Sequence, residues 1–306
     1  FIQKEDVSQH KSSLGSFLSE RNFSQFFVRN YLAPMAGSIW STPGSKIADY
    51  PTISILQFFN NHGLLSVSNH HQWFHLSDGS SSYIKQLFKH DRFRKKEIKV
   101  LKNHRVDYVE PITNKKEGLK VRLQIENLEK KEKYTIEVDE LIFACHANET
   151  LLCMNGNRPE YPFLKRIRFQ KNVGYLHNDK RLMPKRKSVW SSWNYLSGED
   201  GIHDENISVT YWMNKLQDLK TSQNIFVSLN PLLEPYESKY KKKLVYEHPV
   251  FDQDMIDARK KLMETQGLDH IWHSGAWTGN GFHEDGFVSG KKVAAKINSK
   301  TNKLKC

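Results

Sequence analysis

The residues best suited to chemistry lie near the end of the chain, in His273-Ser274-Gly275-Ala276-Trp277-Thr278-Gly279-Asn280-Gly281-Phe282-His283-Glu284-Asp285-Gly286-Phe287-Val288-Ser289-Gly290. A short apolar segment, Ile271-Trp272, precedes them, and Val293, Ala294, Ala295 and Ile297 follow at helical spacing. The order therefore reads strand, glycine-rich turn, helix. The first N–H groups of a helix have no acceptor within it, and its dipole puts positive potential there, so such a turn suits an anion or an electron-rich ring. Gly286 and Gly290, one helical turn apart, also allow a planar ligand or another backbone to come close. A tight turn with close helix packing would use the same glycines.

Other clusters say less. His70, His71 and His75 have no carboxylate or cysteine at ligand spacing, so a surface loop accounts for them and no metal is expected. Cys145 and His146 are chain neighbours, and on a strand neighbours face opposite ways, which disfavours a nucleophile and base pair. The three cysteines, Cys145, Cys153 and Cys306, are scattered without a CxxC spacing. That argues against a disulfide framework or structural zinc and leads us to expect a cytoplasmic setting.

Several elements must position the turn. Residues 1–90 read as helical, with Phe23, Phe26, Phe27 and Tyr31 on one run that Pro34 should stop. A second helix should follow Gly79, with a serine cap and an apolar stripe of Tyr83, Ile84, Leu87 and Phe88. From Arg105 the period becomes two: Leu119, Val121, Leu123 and Ile125, then Tyr134, Ile136 and Val138, predict a hairpin or meander. Leu141 to Cys145 is continuously apolar and predicts a parallel strand buried on both faces. A second alternating region, 172–231, predicts an antiparallel sheet, 232–250 a polar linker, and 254–266 a helix. No internal repeat is evident.

Composition bounds the rest. The chain has 306 residues, 38% of them hydrophobic and 12% aromatic, enough for a substantial core. Its longest apolar run is too short to span a bilayer. Forty-six basic against thirty-four acidic residues give a net charge of +12. The lysines fall in short separate clusters with no nucleic-acid-binding motif, so nucleic acid is not the expected partner and peripheral contact with an anionic membrane fits better.

The strand, Gly-x-Trp, His-Glu-Asp-Gly and Ser-Gly series resembles the C-terminal flavin motif of the FAD-dependent amine oxidase and desaturase superfamily. Within it the chain looks most like the bacterial predicted NAD/FAD-binding, amine oxidase-like branch. The likeness includes Tyr31-Leu32-Ala33-Pro34-Met35-Ala36, Ile39-Trp40-Ser41-Thr42-Pro43, Asn61-His62-Gly63-Leu64-Leu65, Ile142-Phe143-Ala144-Cys145-His146, Trp193-Asn194-Tyr195 and Val209-Thr210-Tyr211-Trp212-Met213-Asn214.

This resemblance implies an α/β FAD/NAD(P)-binding, Rossmann-like fold with an α+β substrate domain. It implies FAD as cofactor, and hydride transfer from a hydrophobic or lipid-linked small molecule to flavin N5. Gly275, Ala276, Trp277, Gly281, Phe282, His283, Glu284, Asp285 and Gly286 would hold the cofactor. Lys171 falls near a lysine that anchors a catalytic water, and Trp193, Asn194 and Trp212 would line a substrate chamber whose floor also includes Trp190, Tyr195 and Tyr211. The implied division is 1–90 as the helical part of the substrate domain, 91–150 as returning strands of the FAD domain, 151–265 as the antiparallel-sheet substrate domain, 266–298 as the last FAD-binding strand and helix, and 299–306 as a tail.

The chain departs from this family in lacking a GxGxxG, its only G-x-G being Gly279-Asn280-Gly281, and in carrying Ser77-Asp78-Gly79-Ser80 where paired glycines are usual. The missing glycine fingerprint predicts an N-terminally truncated member, while at the second departure Gly79 alone suffices for the turn. The alternatives are a non-catalytic fragment, a basic module that docks on anionic lipid or nucleic acid, and a flavin-dependent monooxygenase.

Overall fold

The computed structural model describes residues 12–42, 44–66, 72–95, 97–114, 118–196 and 208–303. His70, His71, Pro43, Cys306 and the end of the lysine-rich tail, which figure in the sequence reading, lie outside them. In chain order the main elements are helix α1 (Leu14–Glu20), helix α2 (Gln25–Phe27, Val28–Leu32, Ala33–Trp40), helix α3 (Thr52–Asn61) and helix α4 (Ser81–Phe88). Strands β1 (His104–Asn114), β2 (Gly118–Asn127), β3 (Glu132–Val138) and β4 (Leu141–Phe143) follow. Then come α5 (Ala147–Cys153), α6 (Tyr161–Arg166), β5 (Phe169–His177), β6 (Trp193–Leu196), β7 (Ser208–Trp212), β8 (Phe226–Leu229), β9 (Tyr240–Pro249), α7 (Gln253–Glu264), β10 (Ile271–His273) and α8 (His283–Lys303). They form two compact units, one from 1–98 and 170–248, the other from 99–169 and 249–306. Segments 151–169 and 249–265, grouped by sequence with the antiparallel sheet, fall in the second unit.

In the first unit, α2 does not stop at Pro34. Residues Val28–Leu32 form a π turn, Ala33 N–H reaches the Val28 carbonyl, and the helix continues to Trp40. The wider turn supplies room for a ring that lacks an N–H donor, which is how a proline sits inside a continuous helix. The helix ends at Ser41 in the left-handed region. Trp40, Tyr50, Ile55, Phe58 and Phe59 are buried around α3, with Trp40 edge-on to Phe58 at 4.9 Å between ring centres. Gly79, at φ +73°, makes the turn before α4, but Ser80 does not cap that helix, being itself helical and without a side-chain hydrogen bond to it.

The sheet of this unit is ordered β6-β7-β8-β5-β9. Strand β9 overturns the reading of 232–250 as linker. Its lysines, Lys241, Lys242 and Lys243, are exposed, so the inward residues are too few to register as alternation. Charged side chains on an edge strand also discourage pairing with another chain.

The second unit holds an antiparallel meander, β1-β2-β3, and a parallel pair, β4 with β10, in which Ile271, Trp272 and His273 match Leu141, Ile142 and Phe143. Val109, Val121, Leu123 and Ile125 form the meander's buried face. Strand β4 is parallel as expected but not buried on both faces, since Ile142 is 43% exposed. Among the described residues β4 pairs with β10 alone, and the exposure is confined to β4, since all three residues of β10 are buried. Helix α8 runs to Lys303, beyond the expected start of a tail at 299.

Candidate functional site

In the second unit β10 delivers the chain to the glycine-rich turn. Ser274 N–H donates to the Phe143 carbonyl at 2.8 Å, extending the parallel pairing by one bond. Gly275 then takes φ +151°, where a Cβ would lie 2.7 Å from Trp277 Nε1. Trp277 is buried and donates from Nε1 to the Cys145 carbonyl at 3.0 Å, fastening the turn to the end of β4. Ser289 on α8 ties the two ends together. Its hydroxyl donates to the Gly286 carbonyl at 2.8 Å, so it accepts from Gly275 N–H at 3.0 Å and from the Ser274 hydroxyl at 2.9 Å.

The helix start is arranged around Asp285. Its carboxylate accepts from Phe282 N–H at 3.0 Å, which stabilises the first turn by capping and by charge against the dipole. Arg259, reaching over from α7, donates to the carbonyl of Gly279. Burial lowers the Arg259 pKa, while the nearby Asp285 charge works the other way. Gly281, His283 and Glu284 are exposed at the mouth of α8.

The turn thus brings Gly275, Ala276, Trp277, Gly281, Phe282, His283, Glu284, Asp285 and Gly286 into one structure. Most of its glycines meet the protein's own atoms. A Cβ on Gly279 would strike the Asp285 carboxyl, and one on Gly281 the Phe251 ring. Gly286 faces the Ala276 backbone with room for a methyl group. Tested as a flavin site, the turn fits in part: the helix start at His283 and Glu284 is exposed, but Gly281 N–H donates to the Ala276 carbonyl at 3.0 Å, Phe282 N–H donates to Asp285, and Gly286 packs against the Ala276 backbone. Arg259 and Ser289, which lock the turn, carried no sequence signal beyond the Ser-Gly pair.

Lys171 and the chamber candidates belong to the first unit. Lys171 is exposed near the start of β5. Trp193, Asn194 and Trp212 do not share a wall. Strand register pairs Trp193 with Tyr211 and Asn194 with Thr210, so Trp193 stands on one face and Asn194 and Trp212 on the other. Trp193 is 48% exposed and edge-on to Tyr211 at 5.1 Å. Asn194 is buried and its amide is committed, donating to Ser191 O at 2.7 Å and Thr210 O at 3.1 Å while accepting from Ser191 N–H at 2.9 Å. Trp212 buries its Nε1 without a hydrogen-bond partner and packs edge-on to Trp190. Trp190 lies off the strands, after a short 3-10 turn.

The face shared by Asn194 and Trp212 carries a polar row that sequence reading missed. His177 Nδ1 accepts from Asp179 N–H at 3.0 Å, which places the neutral ring's proton on Nε2, 2.8 Å from Ser228 Oγ. Ser228 in turn lies 2.6 Å from Thr210 Oγ1. Burial lowers the His177 pKa to about 4 despite the neighbouring Asp179 charge. His273, buried at the end of β10 and stacked on Phe143, is likewise lowered to about 4 by burial and by Arg158. Its Nδ1 has no hydrogen-bond partner. Cys145 Sγ lies 3.4 Å from Thr150 Oγ1, and burial pushes its thiol pKa up, which disfavours the thiolate. His146 begins α5 and stacks on Phe169 at 4.5 Å.

Neither protein-family models nor curated proteins match the chain. Solved structures do. The chain overlays on a CLA-producing fatty acid isomerase from P. acnes with a TM-score of 0.55 and 12% identity, over 89% of this chain and 63% of the isomerase. The fold is therefore the mixed α/β fold of that enzyme, and the chain spans less than two thirds of its length. Two further matches are RebC-10x, native and bound to K252c, and the flavin-dependent monooxygenase PieE in complex with FAD and substrate. RebC-10x gives a TM-score of 0.30 at 10% identity over 56% of this chain and 31% of that one. PieE gives 0.28 at 12% identity over 48% and 26%. Overlays that loose carry no weight for this chain.

Proposed function

We propose that this chain is part of an FAD-dependent oxidoreductase acting on a hydrophobic, fatty-acyl or lipid-linked small molecule. The observation that carries the reading is the turn from parallel strand β10 into α8, with its helix start exposed at Gly281, His283 and Glu284. The fold shared with a fatty acid isomerase supports an acyl substrate.

When bound, FAD supplies the N5 position that accepts a hydride. The chain's own part is to orient and to shield. Main-chain N–H groups at the start of α8 would face the electron-rich edge of the flavin, where positive helix potential favours electron flow into the ring. Ser289, Asp285 and Arg259 hold that turn in shape. The Trp193 and Tyr211 face offers apolar surface for a substrate chain, and Lys171 remains a candidate for holding a water.

A second reading is favoured by the way Trp277, Asp285 and Phe251 fill the space beside three of the glycines: a non-catalytic chain that retains the fold. Titration of the purified chain with FAD, followed by quenching of flavin fluorescence, separates the two. Saturable binding at one FAD per chain is expected, and no quenching at any FAD concentration would leave the second reading.

A further inference from the structure

We propose that residues 72–92 of the first unit form a docking surface for an anionic lipid bilayer, independent of any flavin chemistry. Helix α4 is amphipathic, with Tyr83, Ile84, Leu87 and Phe88 along one arc and Ser81, Ser82, Lys85 and Gln86 along the other, yet none of its residues is buried. Leu87 is 54% exposed. The segment leading into it adds Trp73 at 68%, Phe74 at 88% and the exposed Leu76. A ring with nearly nine tenths of its surface open protrudes from the protein. That shape suits insertion among lipid headgroups better than it suits the floor of a groove.

The charges fit the same occupant. Lys85 and Lys89 are exposed alongside the apolar residues with no ion pair among the described residues, whereas Arg92 pairs with Glu97 at 3.2 Å and the exposed Asp78 and Asp91 flank the surface, so the two lysines carry its positive charge. Aromatic and leucine side chains flanked by lysine are the composition of helices that lie in a membrane interface, where long basic side chains reach back to anionic headgroups. Eight residues cannot cross a bilayer, and among the described residues no helix is long and apolar enough to do so. The contact is therefore superficial.

Vesicle flotation tests this. The purified chain should float with phosphatidylcholine vesicles containing phosphatidylglycerol and stay behind with phosphatidylcholine alone. Each basic residue near an anionic surface is worth about fivefold in partitioning, so Lys85→Glu with Lys89→Glu should lower it at least about 25-fold. Phe74→Ser with Leu87→Ser should lower it to a similar extent, without a change in thermal unfolding. Should that pair destabilise the fold, a second readout decides: brominated lipid should quench tryptophan fluorescence in the parent chain and much less in Trp73→Phe. Equal flotation of all variants, or quenching unchanged in Trp73→Phe, would overturn the proposal. So would self-association without lipid that Leu87→Ser abolishes, since a second copy would then be the occupant.

Discussion

Two acid-sensitive groups sit two residues apart at the end of β5. The neutral His177 ring bridges Asp179 N–H and the Ser228 hydroxyl, and its pKa falls from 6.5 to about 4 on folding. Between those values the unfolded chain binds more protons than the native one, so stability decreases as pH drops from about 6.5 towards 4 and is level above. His273 contributes in the same direction. For Asp179, burial works against ionisation, but the Arg181 guanidinium and the N–H groups of Tyr236 and Arg181 outweigh it and hold the carboxyl at about 2, below its ordinary 3.8. Its stabilisation is complete above 3.8 and is lost only as pH falls through about 2. Urea unfolding across pH should therefore show a first loss in the histidine window, with a shallower slope in His177→Gln. A midpoint that stays level from pH 6.5 to 4 would contradict neutral burial of these rings.

The turn between β10 and α8 separates what the fold needs from what a ligand would need. Gly275 is required by the backbone itself, because at φ +151° a Cβ would overlap the Trp277 indole. Gly275→Ala should cost about 2 kcal/mol, the usual range for a strained backbone residue, and lower the thermal midpoint. Gly286 is different: a methyl group there meets Ala276 N at 3.6 Å, an ordinary contact, within a helix that favours alanine. Gly286→Ala should leave stability unchanged or raise it by up to about 1 kcal/mol. Melting curves of both variants check the pair, and a clearly lowered midpoint in Gly286→Ala would contradict the ordinary contact with Ala276.

Across the molecule, much of the positive charge is locally neutralised. Arg105 pairs with Asp107 and Glu126, Arg122 with Glu110 and Glu137, Arg158 with Glu160 and Asp269, and Arg166 with Asp254. The surplus lies with lysines, in separate places such as β9 and α4. Dispersed charge binds polyanions weakly and is screened early, so the chain should leave a heparin column below about 0.3 M salt, where the Debye length is under about 8 Å. Retention well beyond that would point instead to a concentrated nucleic-acid site.

What the sequence by itself determined is local: the change of period at Arg105, the meander, the strand, glycine turn and helix at the end, and the turn at Gly79. These follow from side-chain alternation, backbone freedom and capping, all of which act within a few residues. Only the tertiary structure decided that Pro34 sits inside a helix relieved by a π turn, and that 240–249 is an edge strand. It also decided that Trp212 shares the face of Asn194, and that His177, Ser228 and Thr210 meet. The reason is register. A strand's neighbours, and hence the face each side chain shares, are set by pairing with segments dozens of residues away, and no local pattern in Trp193-Asn194-Tyr195 records which partner will arrive.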